Sequence, residues 1–390
     1  MKPLATRLAP YEVFFPLAAL STIAAMALTL LALDGRFAPP TGLGLVDWHA
    51  HEMLFGHFPA AFAGVMLTAL PRWTKGPSMA PILVVALAAL YLAARLAWIV
   101  APTPALLWLS PVYVAALTIY AGVRILAAGD RRDLGLLALL AVFAVADGLF
   151  LVTARHGDAA PALRLGLAAT VLVATIMGGR IAPALTRHLA EKRGRPQAAP
   201  TPLPLEIAVF VVTPVALAGW VFAPLAGATA AALGLAGLLH LARLATWKGA
   251  STWDRPPFLA LHLGYAFLPL GLATLAAGIL ADRIDLADIG AHAFGAGTLG
   301  LMCAAIMTSV VRRYSGRALT VSRLADALVV ALFAAAALRL SAGALGLPRG
   351  LLDASAGAWI LAYATLLVLV ARDRRLAAPG IGARGEVLEG

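Results

Sequence analysis

Runs of about twenty apolar residues, the length that crosses a hydrocarbon core, follow one another along nearly all of this 390-residue chain. They can be drawn at 11–33, 47–70, 79–101, 104–127, 134–154, 161–183, 205–223, 224–244, 257–280, 286–311, 321–343 and 351–371. Lipid offers no hydrogen bonds to the backbone, so each run must close its own as a helix. The pattern predicts an all-α integral membrane protein, a bundle of about twelve transmembrane helices. Composition agrees: 13% of residues are charged, against about 25% in soluble domains. The first run, from Val13 to Leu33, is too long for a secretory signal and lacks its cleavage pattern, so it reads as a retained span.

A net charge of +11 in a soluble chain would suggest nucleic acid. Here the basic residues sort by side. Alternate connections and the two termini carry 23 Lys and Arg on one side and 6 on the other, with Arg95 inside a span. The side with more positive charge faces the cytoplasm, which predicts cytoplasmic N- and C-termini. The surplus charge then reports topology, and no nucleic-acid partner is expected. The single cysteine, Cys303, excludes a disulfide framework within the chain.

The longest polar break, Arg187 to Thr201, divides the runs into two sets of six. The expected organisation is 1–186 for the first six spans, 187–203 for a cytoplasmic linker, 204–375 for the second six and 376–390 for a flexible cytoplasmic tail. Two six-helix halves are one transporter architecture, although no convincing internal repeat joins the halves. At 223–227, Ala-Pro-Leu-Ala-Gly must turn the chain between two short spans.

Ionisable residues inside spans are costly and mark function by default. Of eight histidines, His156 and His188 fall in connections. His49 and His51 open the second span beside Glu52 and Met53; His57 lies about 9 Å deeper, and His292 begins the tenth. These form an outer group, while His240 and His262 form an inner one. Neutral imidazole commonly ligates copper and haem iron; the plain alternative is a hydrogen-bonded residue at a helix end. His49 and His51 point about 200° apart on a helix, so they serve different centres or the helix begins between them. Glu52 reads as a proton donor, a carboxylate orienting a ligand histidine, or a helix cap. Met53 reads as a soft copper ligand or as packing. Arg180 reads as a haem-propionate partner or a snorkelling interface residue. Arg95 and Asp147 are buried-charge candidates.

The stretches Trp48-His-Ala-His-Glu-Met-Leu-Phe-Gly56 and Ala61-Phe-Ala-Gly-Val-Met-Leu-Thr-Ala-Leu-Pro-Arg-Trp-Thr74 resemble the signature of the NnrS family. The likeness continues through Met177-Gly-Gly-Arg180, His240 with Arg243, His262-Leu-Gly-Tyr265, His292-Ala293 and Ser315-Gly-Arg317. Against the family pattern stand Arg72 and Lys75 in the Pro-Asn-Trp-Thr-Gly segment, Ser309 and Tyr314 near the end of the tenth span, and the extra His57. The chain looks like a divergent member. The resemblance implies a bacterial inner-membrane protein with haem b and copper, linked to nitric oxide and denitrification. It carries His49, His51, His262 and His292 over as metal or haem ligands, with His240 a fifth. An oxidoreductase fed by quinol or another electron donor and a protein that binds nitric oxide without turnover both fit. So does a transporter for copper, haem or a small solute.

Overall fold

The computed structural model describes residues 8–100, 103–129, 133–196, 198–316 and 322–375. The tail 376–390, and Lys2, Arg7, Arg131, Arg132, Arg317 and Arg384 of the charge tally, lie outside the described residues. Twelve helices are long and apolar enough to span a membrane. They are α1 Pro10–Leu33, α2 Leu45–Thr74, α3 Pro81–Val100, α4 Pro104–Ala128, α5 Leu134–His156, α6 Ala160–Lys192, α7 Leu203–Phe222, α8 Gly227–Thr246, α9 Pro256–Ala281, α10 Ile284–Tyr314, α11 Arg323–Ala344 and α12 Arg349–Arg374. The protein is an all-α membrane protein, and no strand occurs among the described residues. Helix α7 ends at Phe222 and α8 begins at Gly227, so the expected turn at 223–227 is present.

Two departures from the plain reading shape the site. Helix α6 runs on to Lys192, through the first residues of the polar break, because Leu189 and Thr186 still bury a face there. Helices α2 and α10 are each interrupted by a π-helical turn, Glu52–His57 and Ala293–Leu299. A π turn adds one residue to the helical repeat and rotates all that follows. Both begin immediately after a histidine.

The described residues group into two compact units, one drawn from 1–166, 306–325 and 363–390 and the other from 167–305 and 326–362. In the first, α1 packs on α2 and α4 on α5. In the second, α9 packs between α8 and α10. Association in lipid depends on close contact and buried hydrogen bonds, since lipid tails are as apolar as the helices. The cores are accordingly aromatic: Trp48, Trp98, Tyr91, Tyr113, Phe55 and Phe150 are fully buried in the first unit, Trp247 and Tyr265 in the second. Leu92, Leu96, Val123, Leu238, Leu241 and Val330 face outward, as lipid-facing residues would.

In the second unit Arg193, past the end of α6, donates from Nη2 to Asp254 Oδ2 at 2.7 Å in the connection from α8 to α9. This bond holds the Asp254 carboxyl below its ordinary value. A lowered folded-state pKa contributes stability above the ordinary carboxylate range and loses it as pH falls through the lowered value. Intrinsic-rate-corrected amide exchange over 249–255 should therefore rise on acidification, and Asp254→Asn should abolish that pH dependence.

Candidate functional site: two buried histidine networks

Four helices of the first unit close a ring of polar side chains around His51. Its Nδ1 lies 3.1 Å from Glu52 Oε1 and its Nε2 3.0 Å from Asp147 Oδ1 on α5. Arg95 on α3 donates to Glu52 Oε1 at 2.6 Å and to Ser110 Oγ at 2.6 Å. Ser110 on α4 donates to Asp147 Oδ2 at 2.7 Å, which completes the circuit. Both ring nitrogens of His51 thus have a carboxylate oxygen as partner. All four of His51, Glu52, Arg95 and Asp147 are buried. Trp98 stacks on the His51 ring at 3.5 Å and 13°, and Trp48 Nε1 donates to the Trp98 carbonyl at 3.0 Å.

His49 turns elsewhere, as the helical angle requires. Helix α2 begins at Leu45, before both histidines, and His49 Nδ1 meets Thr29 Oγ1 on α1 at 3.0 Å. The Thr29 proton is already given to the Ala25 carbonyl at 2.8 Å. With that proton committed, Nδ1–H donates to Thr29. Deeper in the unit, His57 Nδ1 donates to the Ala18 carbonyl at 3.0 Å and Nε2 accepts from Tyr363 OH at 2.9 Å. The Met53 sulfur accepts from Thr22 Oγ1 at 3.6 Å.

A second network, in the second unit, centres on Tyr265. Its hydroxyl accepts from Arg243 Nη1 at 2.9 Å and donates to His240 Nδ1 at 2.7 Å. His240 Nε2–H then donates to Thr213 Oγ1 at 3.0 Å. Arg243 also grips both carboxylate oxygens of Glu206, at 2.9 and 2.6 Å, and the Thr175 carbonyl at 2.9 Å. Trp247 lies 4.4 Å from the Tyr265 ring and 6.1 Å from the His262 ring, so it stands between His240's partner and His262. Room for this assembly comes from the Gly178–Gly179 pair of α6. A Cβ on Gly178 would sit 2.6 Å from the Tyr265 ring, and one on Gly179 would sit 2.6 Å from Arg243 Cζ.

His262 repeats the logic of His49. Thr186 Oγ1 gives its proton to the Ala182 carbonyl at 2.9 Å and accepts from His262 Nε2 at 2.8 Å. The His262 lone pair is left on Nδ1, which is buried and has no hydrogen-bond partner. At the start of α10, His292 Nδ1 donates to the Asp288 carbonyl at 2.9 Å and lies 3.2 Å from Asp288 Oδ1. The Asp288 carbonyl can only accept, so Nε2 is the nitrogen left for a ligand bond, and the side chain is half-buried.

The structure therefore brings His51 together with Glu52, Arg95 and Asp147, and links His240 to His262 through Tyr265 and Trp247. Arg180 is exposed on α6, and His156 and His188 are exposed as expected. Among the described residues no three His, Cys, Asp or Glu side chains form a ready-made metal cage. Sequence reasoning missed Ser110, Glu206, Thr213, Asp288 and Arg339. Glu206, Asp288 and Arg339 were visible as charges close to span ends, a signal that interface charges mask.

Tyr265→Phe should remove one acceptor from Arg243 and one donor to His240. An expected loss of about 1–3 kcal/mol would be read as a lower thermal midpoint in detergent.

No curated protein matches the chain. A family model described as NnrS protein matches residues 5–372, and over essentially its whole length the chain belongs to the NnrS family.

Proposed function

We propose that this protein binds haem b, with copper as a second metal, and acts on nitric oxide in the inner membrane of a bacterium. The observation that carries the reading is the tautomer pattern. His292 has Nδ1–H held by the Asp288 carbonyl, which leaves Nε2 for a ligand bond, and His262 has the reverse, with Nε2 on Thr186 and Nδ1 buried without a hydrogen bond. A metal-ligating histidine needs such a second bond to fix its ring and its tautomer. These two residues fit a haem iron or a copper ion; they are the proposed ligands, with His49 added by the family resemblance alone. His51 and His240 have both nitrogens committed within the protein, and their proposed role is to hold the fold around the ligands.

Bound haem would supply binding of a diatomic gas and one-electron chemistry. The chain's own part is to orient the imidazoles, to keep water away with the aromatic cores, and to hold buried charge in balance through the His51 ring and the Arg243–Glu206 pair. Glu52 is engaged by both His51 and Arg95, so its proposed part is electrostatic, and proton delivery would require that ring to open. Arg180 would pair with a haem propionate. Electrons would come from quinol or another membrane donor, with reduction of nitric oxide as the leading activity.

The π-interrupted helices α2 and α10 favour a second reading, since transporters build sites at broken spans. One preparation separates the two. Protein purified in mild detergent from cells supplied with iron and copper should give a b-type reduced-minus-oxidised spectrum, and membranes should consume nitric oxide when a quinol is added. Binding of nitric oxide without consumption would leave a response protein. No haem signal, with metal-dependent uptake into vesicles, would replace the reading with transport.

A further inference from the structure

We propose that Asp288 is a positioning residue that makes His292 Nε2 the coordinating atom, and that Arg339 sets how much charge Asp288 passes to that ring. The inference rests on the haem–copper reading and assigns roles to two residues that no motif marks.

Asp288 lies one turn before His292 and holds its Nδ1 twice, through its carbonyl at 2.9 Å and its Oδ1 at 3.2 Å. The second carboxylate oxygen is not left loose: Arg339 on α11 donates from Nη2 to Asp288 Oδ2 at 2.8 Å. The carboxylate is bonded to the ring on one side and to the guanidinium on the other. Arg339 Nη1 is buried without a hydrogen-bond partner. An unsatisfied guanidinium donor is costly, so the residue is held for Asp288 at the expense of its own bonding.

The backbone serves the same end. The π turn Ala293–Leu299 begins directly after His292 and rotates the remainder of α10 relative to the ring. Gly295 and Ala296, one turn further on, are half-exposed, and a Cβ on Gly295 would meet nothing within 4 Å. A carboxylate on the far nitrogen raises the basicity of a ligand imidazole, and a guanidinium on that carboxylate tempers it.

Opposite signs test this. In the full-length detergent-purified protein, Asp288→Asn keeps the size and removes the charge. It should move the midpoint potential of the metal group on His292 to a more positive value and alter its electron paramagnetic resonance spectrum. Arg339→Gln leaves the carboxylate unneutralised and should move the potential the other way. Asp288→Ala should lower metal loading by about 10–100-fold. A purely structural role would reduce yield or loading in all three variants with the potential unmoved. If Arg339→Gln is recovered poorly, Asp288→Asn still decides. Wild-type protein that holds iron or copper, with an unchanged potential and spectrum in Asp288→Asn, overturns this inference alone. Wild-type protein holding neither metal overturns the functional reading beneath it.

Discussion

Asp147→Ala is expected to cost about 3–5 kcal/mol, the range for breaking one partner of a buried ion pair. Asp147 accepts from His51 and from Ser110. Without it, His51 Nε2 and the Ser110 hydroxyl lose their acceptor in a buried site, and Arg95 keeps Glu52 as its carboxylate partner. The protein should lose its single symmetric peak in size-exclusion chromatography at temperatures where wild type keeps it. The companion experiment concerns coupling. Glu52→Leu and Arg95→Leu should each be costly alone, because each leaves a buried charge unpaired. Together they should cost less than their sum, since the pair bonds directly at 2.6 Å and contacting groups are non-additive. Additive effects, or an Asp147→Ala protein as stable as wild type, would mean that the ring does not hold these helices.

The second large effect is expected at Gly179, with the opposite sign from the usual helix glycine. In an exposed helix, Gly→Ala gains up to about 1 kcal/mol from propensity. Gly357 in α12 is such a position, with nothing within 4 Å of an added Cβ. At Gly179 the added atom meets Arg243 Cζ at 2.6 Å. That guanidinium cannot step aside, because Glu206, the Thr175 carbonyl and Tyr265 all hold it. Overpacking costs about 1–3 kcal/mol, and each bond lost to a charged group adds about 1.5–3 kcal/mol. Gly179→Ala should therefore lower the thermal midpoint sharply, while Gly357→Ala leaves it level or raises it. Similar midpoints for the two variants would show that α6 can back away from Arg243.

Much of the architecture was legible in the chain, for a physical reason. A run of about twenty apolar residues is evidence by itself, since a continuous apolar segment of that length spans lipid as a helix. The divergence of His49 and His51 was legible in the same way, from the angle between helical positions. Arg95, Asp147 and Glu52 stood out as charges within spans, but their joining into one ring depends on Ser110, an ordinary residue in sequence. The Gly178–Gly179 pair signalled close approach without naming Tyr265 and Arg243 as what approaches. The π turns after His51 and His292 were not legible, because one extra residue in a repeat leaves no mark on composition. Nor were the tautomers, which follow from threonine and carbonyl partners far away in sequence.

The central claim is that commitment of both ring nitrogens separates the structural histidines His51 and His240 from the ligand histidines His262 and His292. The most direct test is iron and copper content, with the reduced-minus-oxidised spectrum, of His292→Ala and His51→Gln purified side by side. The account predicts that His292→Ala folds as wild type and loses a metal or its spectral band. It predicts that His51→Gln is less stable yet keeps both metals in whatever fraction remains folded. Loss of metal from folded His51→Gln, with His292→Ala fully loaded, would contradict it.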